Sequence, residues 1–194
     1  GATLEYVFCV ILMYNVVSTA HASLQKQYEQ DIRIRDMQTK LIAGFANLVE
    51  SKDYTTGEHI KRTSEYVRRI CLKLRELGYY TDELTDEVID TMVKAAPLHD
   101  LGKISIPEDI LAKQGPLTEQ EFDMIRKHPL YGANLIEKYL SGIETDEYTE
   151  TARAMTLGHH EWWNGEGYPL HVSGTDIPLA ARIMAAADVL DALL

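Results

Sequence analysis

The chain has 194 residues, enough for one sizeable hydrophobic core and too few to favour two domains. Hydrophobic residues make up 45% and charged residues 25%, the balance of an ordinary folded soluble domain. The formal net charge of −11 arises wholly after residue 40, since residues 1–40 carry four basic and four acidic groups. That distribution argues against a broad basic face for DNA or RNA polymers, while a small anionic substrate stays open because bound divalent metal reverses charge locally. Cys9 and Cys71, the only cysteines, sit in apolar periodic stretches without metal-type partners, which points to a reduced, intracellular setting.

Residues 6–20, YVFCVILMYNVVSTA, carry no charge. The run is short for a membrane span, Asn15 interrupts it, and no basic segment precedes it as in a signal peptide. A buried or dimerising helix, the tail of a transmembrane helix and part of an upstream domain all remain open. The abrupt start at Gly1-Ala2-Thr3 favours a fragment of a longer protein with a membrane-embedded part upstream. Met13, Val17, Ala20, Leu24 and Tyr28, then Ile34, Met37, Leu41, Phe45 and Leu48, recur at helical steps beside Lys26, Glu29, Arg33 and Asp36. With no proline before residue 97, this predicts a long linker helix able to pair with a copy of itself.

A stop is expected at Ser51–Tyr54, and Thr55 with Glu58 has capping-box spacing for the next helix. That helix carries His59 in its first turn, buries Ile60, Val67, Ile70, Leu74 and Leu77, and ends at Gly78. Another runs from Asp86 toward His99, its last turn bent or tightened by Pro97. A short helix is expected around Ile110-Leu111, and one from the Thr118/Glu121 capping box to His128-Pro129. Tyr131–Leu140 and Tyr148–His160 also read as helices, Glu161–Pro169 as a loop, and Pro178 starts the last helix, with Ala181, Met184 and Asp188 on one side. No convincing alternation of period two appears, so the expected fold is all-α.

His99-Asp100-Leu101-Gly102-Lys103 organises this pattern. Alone, the His-Asp pair is most simply a partly buried histidine beside a helix-end charge. His59, His99, His128, His159 and His160, however, all fall at or near helix ends, unlike His21 and His171. Five imidazoles with Asp100 and Asp188 exceed one tetrahedral site and suit two transition-metal ions with positions left open.

The ordered set HDLGK, a following histidine, His159-His160-Glu161, Gly165-Glu166-Gly167-Tyr168-Pro169 and Asp188 strongly resembles the HD-GYP family. Members of that family are metal-dependent phosphohydrolases of bacterial signalling that cleave cyclic di-GMP. The resemblance runs from about Leu41 onward, and includes TGEHIKR at Thr56–Arg62, IPEDIL at Ile106–Leu111 and PLAARI at Pro178–Ile183. It implies an HD-type helical bundle at residues 41–194 behind an N-terminal segment and linker helix at 1–40. By resemblance, His59, His99, Asp100 and Asp188 would hold one metal, and the bridging Asp100 with His128, His159 and His160 the second. Lys103 would lie beside the scissile phosphate, and Gly167-Tyr168-Pro169 would form a site-shaping and partner-contact surface. For Trp162 and Trp163 packing is favoured over covering the site.

The implied chemistry is attack by a metal-activated hydroxide, the ions being iron or manganese first, with zinc or nickel as further options. The implied partners are a cyclic dinucleotide substrate, a second copy through the linker helix, and a signalling protein at the GYP loop; the implied place is a cytoplasmic domain, tethered or not to a membrane. Two features depart from the family pattern. Thr55 stands where some members carry a third-metal glutamate, which favours two metals unless Asp53 or Glu50 contributes. The family's domain continues with phosphate-gripping basic residues beyond the point corresponding to Leu194, so the domain reads as truncated there. Another HD phosphohydrolase acting on a nucleotide, a non-catalytic dinucleotide- or protein-binding module, and a dimerising scaffold are the alternatives.

Overall fold

The computed structural model describes residues 1–50, 58–142 and 145–194, the side chains of Arg35, Thr39 and Glu50 excepted. The expected stop at Ser51–Tyr54, the Thr55 cap and the possible Asp53 ligand lie outside the described residues, as does the Glu50 side chain. The chain divides into two compact units, Gly1–Leu41 and Ile42–Leu194. None of the described residues forms a β-strand beyond an isolated bridge at Ser141, and the fold is all-α.

A single helix, α1 (Ala2–Glu50), makes up nearly all of the first unit and continues into the second. Its apolar residues Met13, Val17, Leu24 and Tyr28 are all more than 60% exposed. By length and composition alone, its apolar first part is long enough to cross a membrane.

In the second unit, α2 (Glu58–Glu76) buries Ile60, Thr63, Val67 and Cys71, a set at three- and four-residue steps. Gly78, at φ +82°, ends it: Gly78 N–H donates to Arg75 O and Tyr79 N–H to Leu74 O, the paired bonds of a Schellman motif. α3 (Asp86–Ala95) starts at Thr85, whose side chain accepts from Val88 N–H. Pro97 then sits in a 3₁₀ turn, Ala96–Leu98, which tightens the chain immediately before His99.

A second 3₁₀ segment, Leu101–Ser105, leads to the short α4 (Glu108–Leu111) and to α5 (Glu119–Ile125). At the start of α5 the capping box forms as expected: Thr118 Oγ1 accepts from Glu121 N–H, and Glu121 Oε2 accepts from Thr118 N–H at 2.7 Å. α5 stops at Ile125, however, and His128 opens α6 (His128–Leu140) instead of closing α5. Pro129 is at home in that first turn because the N–H it lacks has no intrahelical partner there. α7 (Asp146–Gly158), capped by Thr145, ends two residues before His160, and α8 (Leu179–Leu193) follows Pro178.

The core gathers Val67 and Cys71 of α2, Ile89 and Met92 of α3, Ile136 of α6, Met155 of α7, and Ile183 and Met184 of α8. α7 packs against α3, α6 and α8, and α2 against α3 and α8. Gly102 sets the closest approach: a Cβ there would run into the carbonyl of His128 and the amide of Gly132. Glycine therefore lets the His99–Asp100 turn lie directly on the first turn of α6.

Gly102→Ala is expected to cost about 1–3 kcal/mol by overpacking, read by chemical denaturation; unchanged stability would contradict this packing. Glu121, held down to about 2 by Lys113 and the Thr118 amide, supplies a pH test. A carboxyl depressed on folding stabilises fully above its unfolded value of about 4.3 and loses that effect as pH falls through its folded value. The difference in Tm between the native chain and Glu121→Gln is therefore expected to be full above that unfolded value and to shrink toward pH 2.

Candidate metal centre

Helix ends deliver the predicted side chains. His59 lies in the first turn of α2, His99 and Asp100 follow the Pro97 turn, and His128 opens α6. His159 and His160 leave α7, while Asp188 projects from the middle of α8. The structure brings all seven together as two groups, Asp100 with His128, His159 and His160, and His59 with His99 and Asp188. Within each group the potential ligand atoms lie within 4.8 Å of one another.

Asp100 stands between the groups. Its Oδ1 lies 3.1 Å from His128 Nε2 and 3.6 Å from His159 Nε2, and its Oδ2 lies 3.3 Å from His99 Nε2. His59 Nε2 and His99 Nε2 approach Asp188 Oδ1 at 3.7 and 3.8 Å.

The tautomers follow from hydrogen bonding. His99, His128 and His159 each place Nδ1 2.8–2.9 Å from a backbone carbonyl three residues earlier, those of Ala96, Ile125 and Thr156. A carbonyl only accepts, so each Nδ1 carries a proton, and each ring when neutral presents its lone pair at Nε2. His128 Nε2 and His159 Nε2 then face each other at 3.3 Å, both beside Asp100 Oδ1. Among the described residues, His99 Nε2 and Asp100 Oδ1 are buried and make no hydrogen bond of good geometry. Converging lone pairs in a buried site call for cationic charge, and imidazole with carboxylate is a donor set for a transition metal. The residues fit divalent ions.

The electrostatics agree. Burial disfavours charge on His99, yet Asp100 and Asp188 outweigh it and push the imidazole up to about 9. The same pull that favours a proton there favours a metal cation. Asp100 stays well below the usual carboxylate range despite burial, because His99 and Lys103 lie beside it. Burial lowers His159, and burial with the neighbouring His159 and His128 pushes His160 down to about 2, so its ring is available as a neutral ligand.

Lys103 Nζ lies 2.9 Å from Asp100 Oδ2, next to the site. Tyr168 stacks on His160 with ring centroids 4.7 Å apart, and burial pushes its phenol up to about 12. Trp162 and Trp163 do not pack inward as expected: they are 56% and 64% exposed, since the loop turns Tyr168 toward the site.

Two carboxylates support the site from behind, Asp191, which stands in none of the sequence motifs, and Glu161, which stands in one without an assigned role. Asp191 accepts from Arg62 Nε at 2.6 Å and Nη2 at 2.8 Å, and pairs with His59 Nδ1 at 2.6 Å. These bonds, led by Arg62, hold it down to about 2. It is the carboxylate behind a ligand-type imidazole, three residues beyond Asp188 on the same helix face, and that spacing is the signal that could have found it. Glu161 is buried and accepts from Leu170 N–H at 2.6 Å and Val172 N–H at 3.2 Å. Behind the site, the fully buried Thr156 donates to Leu98 O at 3.0 Å and ties α7 to the His99 turn. Thr156→Val leaves that buried carbonyl unpaired and is expected to cost about 1–3 kcal/mol in denaturant titration; a neutral result would contradict the tie.

A protein family described as the HD domain matches residues 44–194. The chain is similar to a "Probable cyclic di-GMP phosphodiesterase" of Vibrio cholerae, 41% identical over 98% of this chain and 47% of that protein. It is also similar to a "3'3'-cGAMP-specific phosphodiesterase 2" of the same organism, 33% identical over 94% of this chain and 32% of the relative. A "Cyclic di-GMP phosphodiesterase" of Thermotoga maritima is 36% identical over 75% of this chain and 36% of its own length. The chain thus spans less than half the length of these relatives. From that match, and from motifs that fold into two ligand groups around one aspartate, the chain belongs to the HD domain family, in its HD-GYP group.

Proposed function

We propose that this chain carries the metal-dependent phosphodiesterase domain of a cyclic-dinucleotide signalling protein, with cyclic di-GMP as substrate and linear pGpG or GMP as product. The observation that carries the reading is the arrangement of seven potential ligands in two groups that face one carboxylate. His59, His99, Asp100 and Asp188 would hold one divalent ion, and Asp100, His128, His159 and His160 the other. Iron and manganese are the first candidates, since imidazole-carboxylate sites take both. When bound, such ions supply Lewis acidity to the phosphate and lower the pKa of water toward neutrality.

The chain's own residues do the rest. Nδ1 hydrogen bonds to backbone carbonyls fix the His99, His128 and His159 rings with Nε2 turned inward. Lys103, held on the Asp100 side of the site, offers an ammonium to the scissile phosphate as negative charge builds. Residues 41–194 form the proposed catalytic domain, on the cytoplasmic side. The exposed apolar residues of α1 support pairing with a second copy, and its apolar first part supports a membrane tether. The exposed Trp162, Trp163 and Leu170 beside Gly167-Tyr168-Pro169 support that loop as a docking surface for a signalling protein.

The test is anaerobic turnover by protein loaded separately with iron(II) and manganese(II), with cyclic di-GMP and 3'3'-cGAMP as substrates and the linear dinucleotides resolved by chromatography. His128→Ala and Asp188→Ala are expected to lower turnover by about 100-fold or more, and Lys103→Met by about 100-fold with metal content retained. Ligand variants within two-fold of the parent would overturn the mechanism. Metal binding without turnover of either substrate would favour a binding module.

A further inference from the structure

Each histidine of the site except one has its ring fixed by a hydrogen bond. His99, His128 and His159 use carbonyls three residues back, and His59 uses Asp191. Among the described residues His160 has no such bond, and packing fixes its ring instead. Tyr168 lies on it at 4.7 Å with 29° between the planes, and the His159 ring sits against it at 4.1 Å, tilted by 40°.

Tyr168 also grips His160 through the backbone, its N–H donating to the His160 carbonyl at 3.1 Å. The preceding residue permits this approach. A Cβ on Gly167 would run into the His160 carbonyl, the Glu161 Cα and the Trp162 amide, so only glycine lets the loop lie so close. The far side of the loop is fixed by the buried Glu161, which accepts from the amides of Leu170 and Val172. Among the described residues no cation pairs with Glu161, so its carboxylate serves the loop. The chain therefore closes on itself: residue 161 holds the loop, and the loop holds the ring of residue 160.

We propose that Tyr168 is a positioning residue, which, in a loop clamped by Glu161, orients the His160 imidazole for the ion shared with Asp100, His128 and His159. This rests on the two-ion reading above and assigns the GYP loop a task inside the chain, apart from any partner. Stacking by a planar ring is what the task needs; the phenol hydroxyl is not.

The experiment is manganese(II) binding to the full chain by isothermal titration calorimetry, with thermal melts of the metal-free proteins alongside. Tyr168→Phe is expected to bind both ions as the parent does. Tyr168→Leu is expected to weaken one ion by about 10–100-fold and leave the other unchanged, the range for loss of a group behind a ligand. Glu161→Gln replaces one accepting oxygen by a donor, releases one end of the loop and weakens the same ion, giving a second route should Tyr168→Leu fail to fold. His160→Ala separates the outcomes. If it loses one ion while Tyr168→Leu and Glu161→Gln lose nothing, the positioning role is wrong and the two-ion reading stands. If His160→Ala keeps both ions, the two-ion reading fails and this inference with it.

Discussion

Everything in the second unit is arranged around the charge on Asp100. Its carboxylate sits among three buried imidazoles, and two of them turn Nε2 lone pairs toward the same oxygen. Neutral rings and a carboxylate cannot be packed this way in a low-dielectric interior unless positive charge is shared among them. Lys103 supplies part of that charge at 2.9 Å, and bound divalent ions would supply the rest. The demand explains why the site is assembled from helix ends, where free carbonyls can fix imidazole rings from behind.

The fold answers with close backbone approaches. Gly102 sets the His-Asp turn on α6, Thr156 ties α7 to the same turn, and Gly167 lays the loop against His160. Around them the apolar seams of α2, α3, α7 and α8 form a core whose burial holds these approaches in place. Stability and chemistry meet at Asp191, where one carboxylate fastens α2 to α8 through Arg62 and orients His59. Anything that shifts the Gly167–Pro169 loop reaches a ligand-type histidine directly.

Much of this is legible in the sequence, and the reasons are physical. Histidine is uncommon, so five at predicted helix ends stand out, and the order of motifs from HDLGK to Asp188 narrows the reading to one family. The helix ending at Gly78 and the Thr118/Glu121 capping box follow from local chemistry and appear as expected. The boundary at His128 does not, because a His-Pro pair suits the end of one helix as readily as the start of the next, and packing against Gly102 settles it. Asp191 and the role of Glu161 are less legible for a different reason. Carboxylates are common on a chain with 30 acidic residues, so the three-residue spacing from Asp188 is a weak signal for Asp191, and the motif that contains Glu161 gives it no task of its own. The tryptophans mislead because size suggests burial, whereas the loop spends its inward position on Tyr168.

The most direct measurement of the central claim is anomalous diffraction from crystals grown anaerobically with iron(II), recorded on both sides of the iron edge. Two peaks are expected, one among His59, His99 and Asp188 and one among His128, His159 and His160, with Asp100 in contact with both. A single peak, or none touching Asp100, would contradict that claim.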